Sequence, residues 1–322
     1  MDQGSTPIHK VGVDPTTATT GIVPTFRGHK RSFGVAARDN LGSMLFVAPY
    51  FLFYVAFIAW PLIYAAWISL RNWNTVGGDK GFTGLRHYYN LIFGWNQFDI
   101  TRAYWQSIGH VLLFAVISVP IVVGIALIFA LLLVNAPWMS FFRAVFYMPA
   151  VLSVAVSMTI WLWILQNGGV LSTYLHNNIS WLIEQPWAWI SIILATVWWT
   201  PGFNMVVLLA GLLDIPSDYY EAAKIDGANG WDRFRHITLP LLRPVLAFVT
   251  ITQMIASFGL FGQVFILTRN LESVRPVGLE MYNEAFGGDN NLALAAAMSF
   301  ILGIILIVFA VAQLRIFRAT EM

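Results

Sequence analysis

Six stretches of this 322-residue chain run for about twenty residues or more without an Asp, Glu, Lys or Arg at their centres, and this constrains its fold more than any other feature. A helix needs about 20 mostly apolar residues to cross roughly 30 Å of bilayer hydrocarbon. The apolar centres lie at about 44–70, 108–134, 144–165, 187–213, 244–268 and 292–314, which predicts an all-α polytopic membrane protein with six transmembrane helices. Pro149 near the start of the third span predicts a kink or a late start there. The polar, Gly-containing stretch Gln166–Ser180 reads as a loop.

Composition says the same. Hydrophobic residues make up 58% of the chain and charged residues 11%, against about 45–50% and about 25% in soluble domains. So few charges cannot cover a water-facing surface of this size. The net charge of +2 implies no polyanionic partner, and the absence of cysteine removes disulfides and thiolate chemistry. The 14 Trp, 11 Tyr and 24 Phe suit a protein with two membrane interfaces to anchor.

Orientation follows from the distribution of basic residues. With both termini inside, the inner side holds Lys10, Arg27, Lys30, Arg31, Arg38, Arg143, Lys224, Arg233, Arg235, Arg243, Arg315 and Arg318. The outer side holds Arg71, Lys80, Arg86, Arg102, Arg269 and Arg275, half as many, so N-in, C-in is expected. Residues 1–42 lack the apolar core of a signal peptide and are expected to form a flexible cytoplasmic tail.

What is missing narrows the mechanism. A chain that hydrolyses ATP through a phosphate-binding loop needs Gly-Lys-Ser/Thr. The four lysines here precede Val11, Arg31, Gly81 and Ile225. The six spans hold no carboxylate, although ion-coupled carriers place such groups deep in the bilayer. His110 is the one ionisable candidate there, and an interfacial role accounts for it. Histidines 9, 29, 87, 110, 176 and 236 are isolated singles, unlike the clustered acids, bases or metal ligands of a catalytic centre. Neither an energy source nor a catalytic site is visible. A stand-alone secondary carrier and a membrane-embedded enzyme are thereby disfavoured.

The longest polar connection, residues 214–243, gathers nine charges beside the membrane. Ser217 is a good N-cap, with Asp218 and Glu221 in the first turn, where the helix dipole favours negative charge. Gly227 can take the left-handed conformation that stops a helix. Asn229 or Gly230 then opens a second short helix carrying Trp231, Phe234 and Ile237 at three-residue steps. Pro240 and Pro244 mark the start of the fifth span. The local grammar alone also fits a plain solvated connection.

The string Glu221-Ala222-Ala223, Asp226-Gly227-Ala228, Phe234, Ile237, Leu239-Pro240 and Pro244 resembles the EAA loop of ABC importer permeases. The resemblance covers about residues 44–318. Phe82-Thr83-Gly84-Leu85 with Tyr88, Tyr89 and Asn90 is similar to an extracytoplasmic segment of carbohydrate-type permeases. Phe141-Phe142-Arg143 with Pro149 and Trp161, and Leu209-Ala210-Gly211-Leu212 before Ile215-Pro216, also resemble family stretches. Ile266-Leu267-Thr268 is similar to a position that usually continues Gly-Gly-Pro; here Arg269-Asn270-Leu271 follows. Overall the chain resembles the permease subunits of maltose-, multiple-sugar- and glycerol-3-phosphate-type importers.

The resemblance implies a permease domain over about 43–319 in a plasma or inner membrane of bacterial type. It also implies a second, unlike permease subunit, two ABC ATPase subunits and an extracytoplasmic solute-binding protein. ATP and magnesium would sit on the ATPases, leaving this chain without a cofactor of its own. The helix around Glu221 would be the coupling helix, lying in a cleft on the ATPase.

Sugar sites combine aromatic faces with neutral hydrogen-bonding groups. Candidates for the solute path are Trp198, Trp199 and Asn204 in the fourth span, beside Thr200-Pro201-Gly202, and Gln253, Ser257 and Gln263 in the fifth. Each has a packing alternative: the tryptophans as belt residues, the glutamines in helix–helix hydrogen bonds, and Ser257 at a close helix approach. Gln263 and Ser257 are expected to face a polar cavity. With no basic residue deep in a span, a neutral sugar is favoured over glycerol-3-phosphate or another polyol-type solute.

Overall fold

The computed structural model describes residues 47–94, 98–176, 179–288 and 290–319. The expected tail, 1–42, lies outside them. The chain divides into two compact units, Met1–Ala59 and Trp60–Met322. In the first, the described residues are helical and almost all exposed, with a π-helical turn at Val55–Ala59. Tyr50 stacks on Tyr54 and Phe53 on Phe57, one helical turn apart.

The second unit opens with α1 (Trp60–Ser69), then a hairpin of β1 (Arg71–Asn74) and β2 (Gly78–Phe82) paired antiparallel, with Arg71 opposite Phe82. The apolar-run reading of the sequence missed this hairpin because it is short and polar. Its turn is set locally: Asn74 Oδ1 accepts from the amides of Val76 and Gly77. Arg71 pairs with Asp79 at 2.6 Å and lies over the Trp67 ring, 4.4 Å from its centroid. The Arg71 guanidinium holds the Asp79 carboxyl below its ordinary pKa, and the Gly81 amide adds to this.

A helical succession follows: α2 (Arg86–Phe93), α3 (Phe98–Leu133), α4 (Met139–Val151), α5 (Val154–Leu165), α6 (Val170–Leu175), α7 (Trp187–Trp199) and α8 (Pro201–Leu213). After it come α9 (Ser217–Ile225), α10 (Gly230–Arg233) with a π-helical turn at Phe234–Thr238, α11 (Leu239–Phe258), α12 (Gly262–Leu267), α13 (Val277–Phe286) and α14 (Leu292–Ala319). Five helical stretches are long and apolar enough to cross a membrane: Val47–Ser69, Asp99–Leu133, Val154–Leu175, Gly230–Phe258 and Leu292–Arg315. The pair Trp187–Trp199 and Pro201–Leu213, bent by 44°, makes a sixth if counted as one span.

Several boundaries differ from the sequence expectation. The second span starts about ten residues before 108, because helix α3 continues through the polar turn of Thr101, Arg102 and Gln106. Its 36 residues reach about 54 Å at 1.5 Å per residue, well beyond the hydrocarbon. The expected third span, 144–165, is two helices. Pro149 lies inside α4 and is not the break. The break is Leu152–Ser153, where Ser153 takes an extended backbone and its hydroxyl caps α5 by accepting from Val156 N at 3.3 Å. The expected loop 166–180 contains α6. The helical stretch of the fifth span begins at Gly230, well before 244, and stops at Phe258, with α11 from Leu239; α12 resumes after Gly259–Phe261.

Helix α3 is the spine of the packing. Its Phe114 joins a cluster with Met158, Ile192 and Val264 from α5, α7 and α12. Its Tyr104 and Ile108 join Phe258 and Met298, and the Tyr104 hydroxyl donates to Met298 O at 2.9 Å. Its Ala126 and Ala130 pack with Leu208, Leu209 and Leu242 of α8 and α11. Small residues at 126 and 130 allow close helix approach.

Candidate functional site

The connection between α8 and α11 is built by local hydrogen bonding. Ser217 is not the cap: it is the first helical residue of α9, and Pro216 precedes it with no side-chain cap bond. Proline suits the position, since its missing N–H would be an orphan there anyway. The other end of α9 closes in a Schellman motif. Gly227 has φ +81°, its amide donates to Lys224 O at 3.1 Å, and Ala228 N donates to Ala223 O at 2.9 Å. Asp226 is the C-cap. Asn229 then caps α10 in a reciprocal box: its Oδ1 accepts from Trp231 N and Asp232 N, and Asp232 Oδ2 accepts from Asn229 N.

Helix α9 is thus stopped at both ends within nine residues, and it presents one face outward. Asp218, Glu221, Ala222 and Ile225, spaced as neighbours on a helix surface, are all exposed, and Ile225 is 87% exposed. Ala223 and Ala228 are half-buried. The opposite face carries Tyr220, whose hydroxyl lies 3.0 Å from Thr238 Oγ1. Thr238 is buried and also donates to Arg233 O at 3.4 Å, across the π-helical turn that holds half-buried Phe234. This Tyr220–Thr238 strut was not read from the sequence, because the two residues are 18 apart and carry no motif of their own. Pro240 is the second residue of α11, directly after the π-helical turn Phe234–Thr238. A cavity of about 530 Å³ separates α9 and α10 from the ends of α3 and α8, and Asn135, Tyr220, Glu221, Lys224 and Arg233 line it.

The six residues considered for a solute path fall into different environments. Asn204 and Gln253 are buried and meet each other: Asn204 Nδ2 donates to Gln253 Oε1 at 2.8 Å, tying α8 to α11. Ser257 does not face a cavity; it is 3% exposed and its hydroxyl donates back to Gln253 O at 2.9 Å. An intrahelical acceptor one turn away satisfies the hydroxyl without solvent. Gln263 is half-buried in the first turn of α12. Trp199 Nε1 donates to Leu152 O at 3.1 Å, supplying a donor at the α4–α5 break. Backbone freed inside a membrane-spanning bundle needs such a partner. Trp198 is 40% exposed and edge-on to Trp161. The geometry therefore does not gather these six into one site.

Removing one half of the Asn204–Gln253 pair leaves a buried amide unpaired. Asn204→Leu is expected to lower stability by about 1–2 kcal/mol. The double substitution Asn204→Leu with Gln253→Leu should cost less than the sum of the two singles. Thermal unfolding in detergent reads both; strict additivity would contradict the pairing.

At the other end of the unit, Arg269 and Asn270 both have positive φ, +48° and +67°, the backbone region a glycine adopts freely. This is where the sequence departs from Gly-Gly-Pro. Here the turn is held by side chains instead. Asn270 and Asn283 exchange amide hydrogen bonds at 3.1 and 3.0 Å, and Arg275 Nε donates to Asn270 Oδ1 at 2.9 Å. Arg275 also pairs with buried Glu280 at 3.0 Å, and its carbonyl meets His110 Nδ1 at 2.9 Å. That bond gives His110 a structural role.

Comparison with known proteins agrees with this architecture. The family described as "Binding-protein-dependent transport system inner membrane component" matches residues 102–320. The lactose transport system permease protein LacF of Rhizobium radiobacter is 31% identical over 294 residues, covering 88% of this chain and 95% of that one. The probable ABC transporter permease protein YesP of Bacillus subtilis is 30% identical over 279 residues, 83% of this chain and 87% of that one. Among solved structures, a chain of a bacterial ABC transporter involved in the import of the acidic polysaccharide alginate superposes with a TM-score of 0.73. It is 18% identical, and the match covers 89% of this chain and 98% of that one. The overall fold, with its five to six apolar spans, is thus shared with a transporter chain of known structure, and the chain belongs to the family of binding-protein-dependent transport system inner membrane components, as an ABC transporter permease.

Proposed function

We propose that this permease serves an ABC importer of sugars or oligosaccharides, and that α9 is the helix through which a separate ATPase drives it. The observation that carries the coupling is the geometry of α9. It is a short helix fixed by a Schellman motif, with Ile225 and Ala222 exposed beside Glu221 and Asp218. An exposed apolar residue ringed by charge on a projecting helix fits a helix-in-groove contact. The relative named for lactose transport supports a sugar as solute, and the absence of basic residues deep in the spans fits a neutral one. The importer comprises this chain, a second unlike permease, two ATPase subunits that bind ATP and magnesium, and an extracytoplasmic binding protein that delivers the solute. Both ends of the chain and the 214–243 connection face the cytoplasm of an inner membrane.

Reporter fusions after Asp226 and after Gly288 test the orientation. The first should report the cytoplasm and the second the outside. A reporter after Asp226 that is active outside would overturn the orientation and the coupling role together.

A further inference from the structure

With Asn204, Gln253 and Ser257 committed to one another in the packed interior, the solute path needs other polar groups. A second groove supplies them. It has a volume of about 310 Å³ and runs between α4 and α8, with Ser140, Arg143, Ala144 and Tyr147 on one wall and Phe203 and Val206 on the other. The two helices touch at Gly202, where a Cβ would stand 2.3 Å from Phe146 O and 2.8 Å from Tyr147 Cα. That contact brings the Tyr147 and Phe203 rings to the same groove, and both are partly exposed, at 36% and 52%.

Three observations single this groove out. Both walls belong to interrupted spans: α4 ends at the Leu152–Ser153 break, and α8 begins at the 44° bend after Thr200. Irregular backbone at membrane depth is tolerated where it is buried or lines a cavity, and broken helices form the substrate sites of many transporters. Next, Arg143 is exposed in the second turn of an apolar helix, and no carboxylate pairs with it among the described residues. Arg143 stands at the inner end of the third span, where a guanidinium can meet water or a solute. Finally, the groove combines two aromatic rings with hydroxyl and guanidinium donors, the mixture that recognises the apolar faces and hydroxyls of a sugar ring.

We infer that the α4–α8 groove is a solute subsite for a short stretch of neutral sugar. Tyr147 and Phe203 cover the ring faces, and Ser140 and Arg143 bond its hydroxyls. The inference rests on the sugar-importer reading above and adds the place and the residues.

The chain has no cysteine, so single-cysteine variants report cleanly. The experiment uses the assembled importer in proteoliposomes, with V206C and S140C as alternative reporters, a permanently charged methanethiosulfonate as the thiol reagent, and lactose, maltose and an alginate oligosaccharide as solutes. Both cysteines should react with the charged reagent. Turnover with the transported sugar should slow that reaction several-fold. Tyr147→Leu and Arg143→Gln should each lower sugar uptake about tenfold, the loss expected for one or two ligand contacts, while the complex still assembles in gel filtration.

Cysteines that react only with a membrane-soluble maleimide would place lipid in the groove and overturn the inference. Cysteines that cross-link to the second permease and resist the charged reagent would make it a subunit interface, with the same consequence. Labelling unaffected by a sugar that the wild type transports would contradict the subsite alone. A wild-type importer that takes up none of the sugars would contradict the sugar reading itself, and the subsite's ligand with it.

Discussion

Replacing Gly227 by valine is expected to release the ATPase from the complex while the spans still insert. Gly227 sits at φ +81°, and its amide and that of Ala228 close the end of α9. A β-branched residue is a steric outlier in that region, at a cost of about 1–3 kcal/mol if the turn is kept. Nothing lies within 4 Å of a Cβ placed there, so the effect comes from the backbone and not from a clash. Relaxing φ would break the Schellman bonds and swing α10 relative to α9. Gly227→Asn should behave much more mildly, because asparagine tolerates the left-handed region. Co-purification of the ATPase with each variant reads the difference. Equal retention by the valine and asparagine variants would show that the turn's geometry is not used.

Reversing Glu221 to lysine should have a comparable effect by another route. Glu221 is exposed on the face of α9 that also bears Ile225. Where a carboxylate meets a basic partner across a desolvated contact, losing it typically costs about 2–5 kcal/mol. The reversal adds like-charge repulsion. Solute uptake should fall to background, and ATPase retention should recover in high salt less than it would for a purely rim-exposed pair. Normal uptake by Glu221→Lys would remove the charge pair from the account and leave coupling to Ile225 and the helix shape.

Much of this structure was legible beforehand for a simple reason: long apolar runs and capping residues are local signals. Gly227 and Asn229 each act on backbone within a few residues, so their roles could be read from composition and spacing. The same logic located most of the apolar helices, though not their ends. Helix α3 overran its apolar core because a polar turn propagates a helix as well as an apolar one does once nucleated. The third span broke at Ser153 and not at Pro149, because a proline inside a helix is tolerated when neighbours satisfy the freed carbonyl, whereas a serine in extended conformation caps the next helix.

Long-range pairings were hidden. Asn204 and Gln253 are 49 residues apart, Tyr220 and Thr238 are 18 apart, and Trp199 reaches a carbonyl 47 residues away. No periodicity announces such pairs. For Asn204, Gln253 and Ser257, read from the sequence as either path or packing residues, the hydrogen bonds that hold them within the bundle became visible only in the structure. Where Arg269-Asn270 stand in place of the usual glycines, the side chains of Arg275 and Asn283 hold the turn, and nothing local in the sequence announces them.

The most direct test of the account is the ATP hydrolysis rate of the complete importer in proteoliposomes, measured with and without its binding protein loaded with sugar. The account predicts a rate that rises with the loaded binding protein when this chain is wild type, and no rise when it carries Gly227→Val or Glu221→Lys. A rise of the same size with both variants would contradict the claim that α9 carries the coupling.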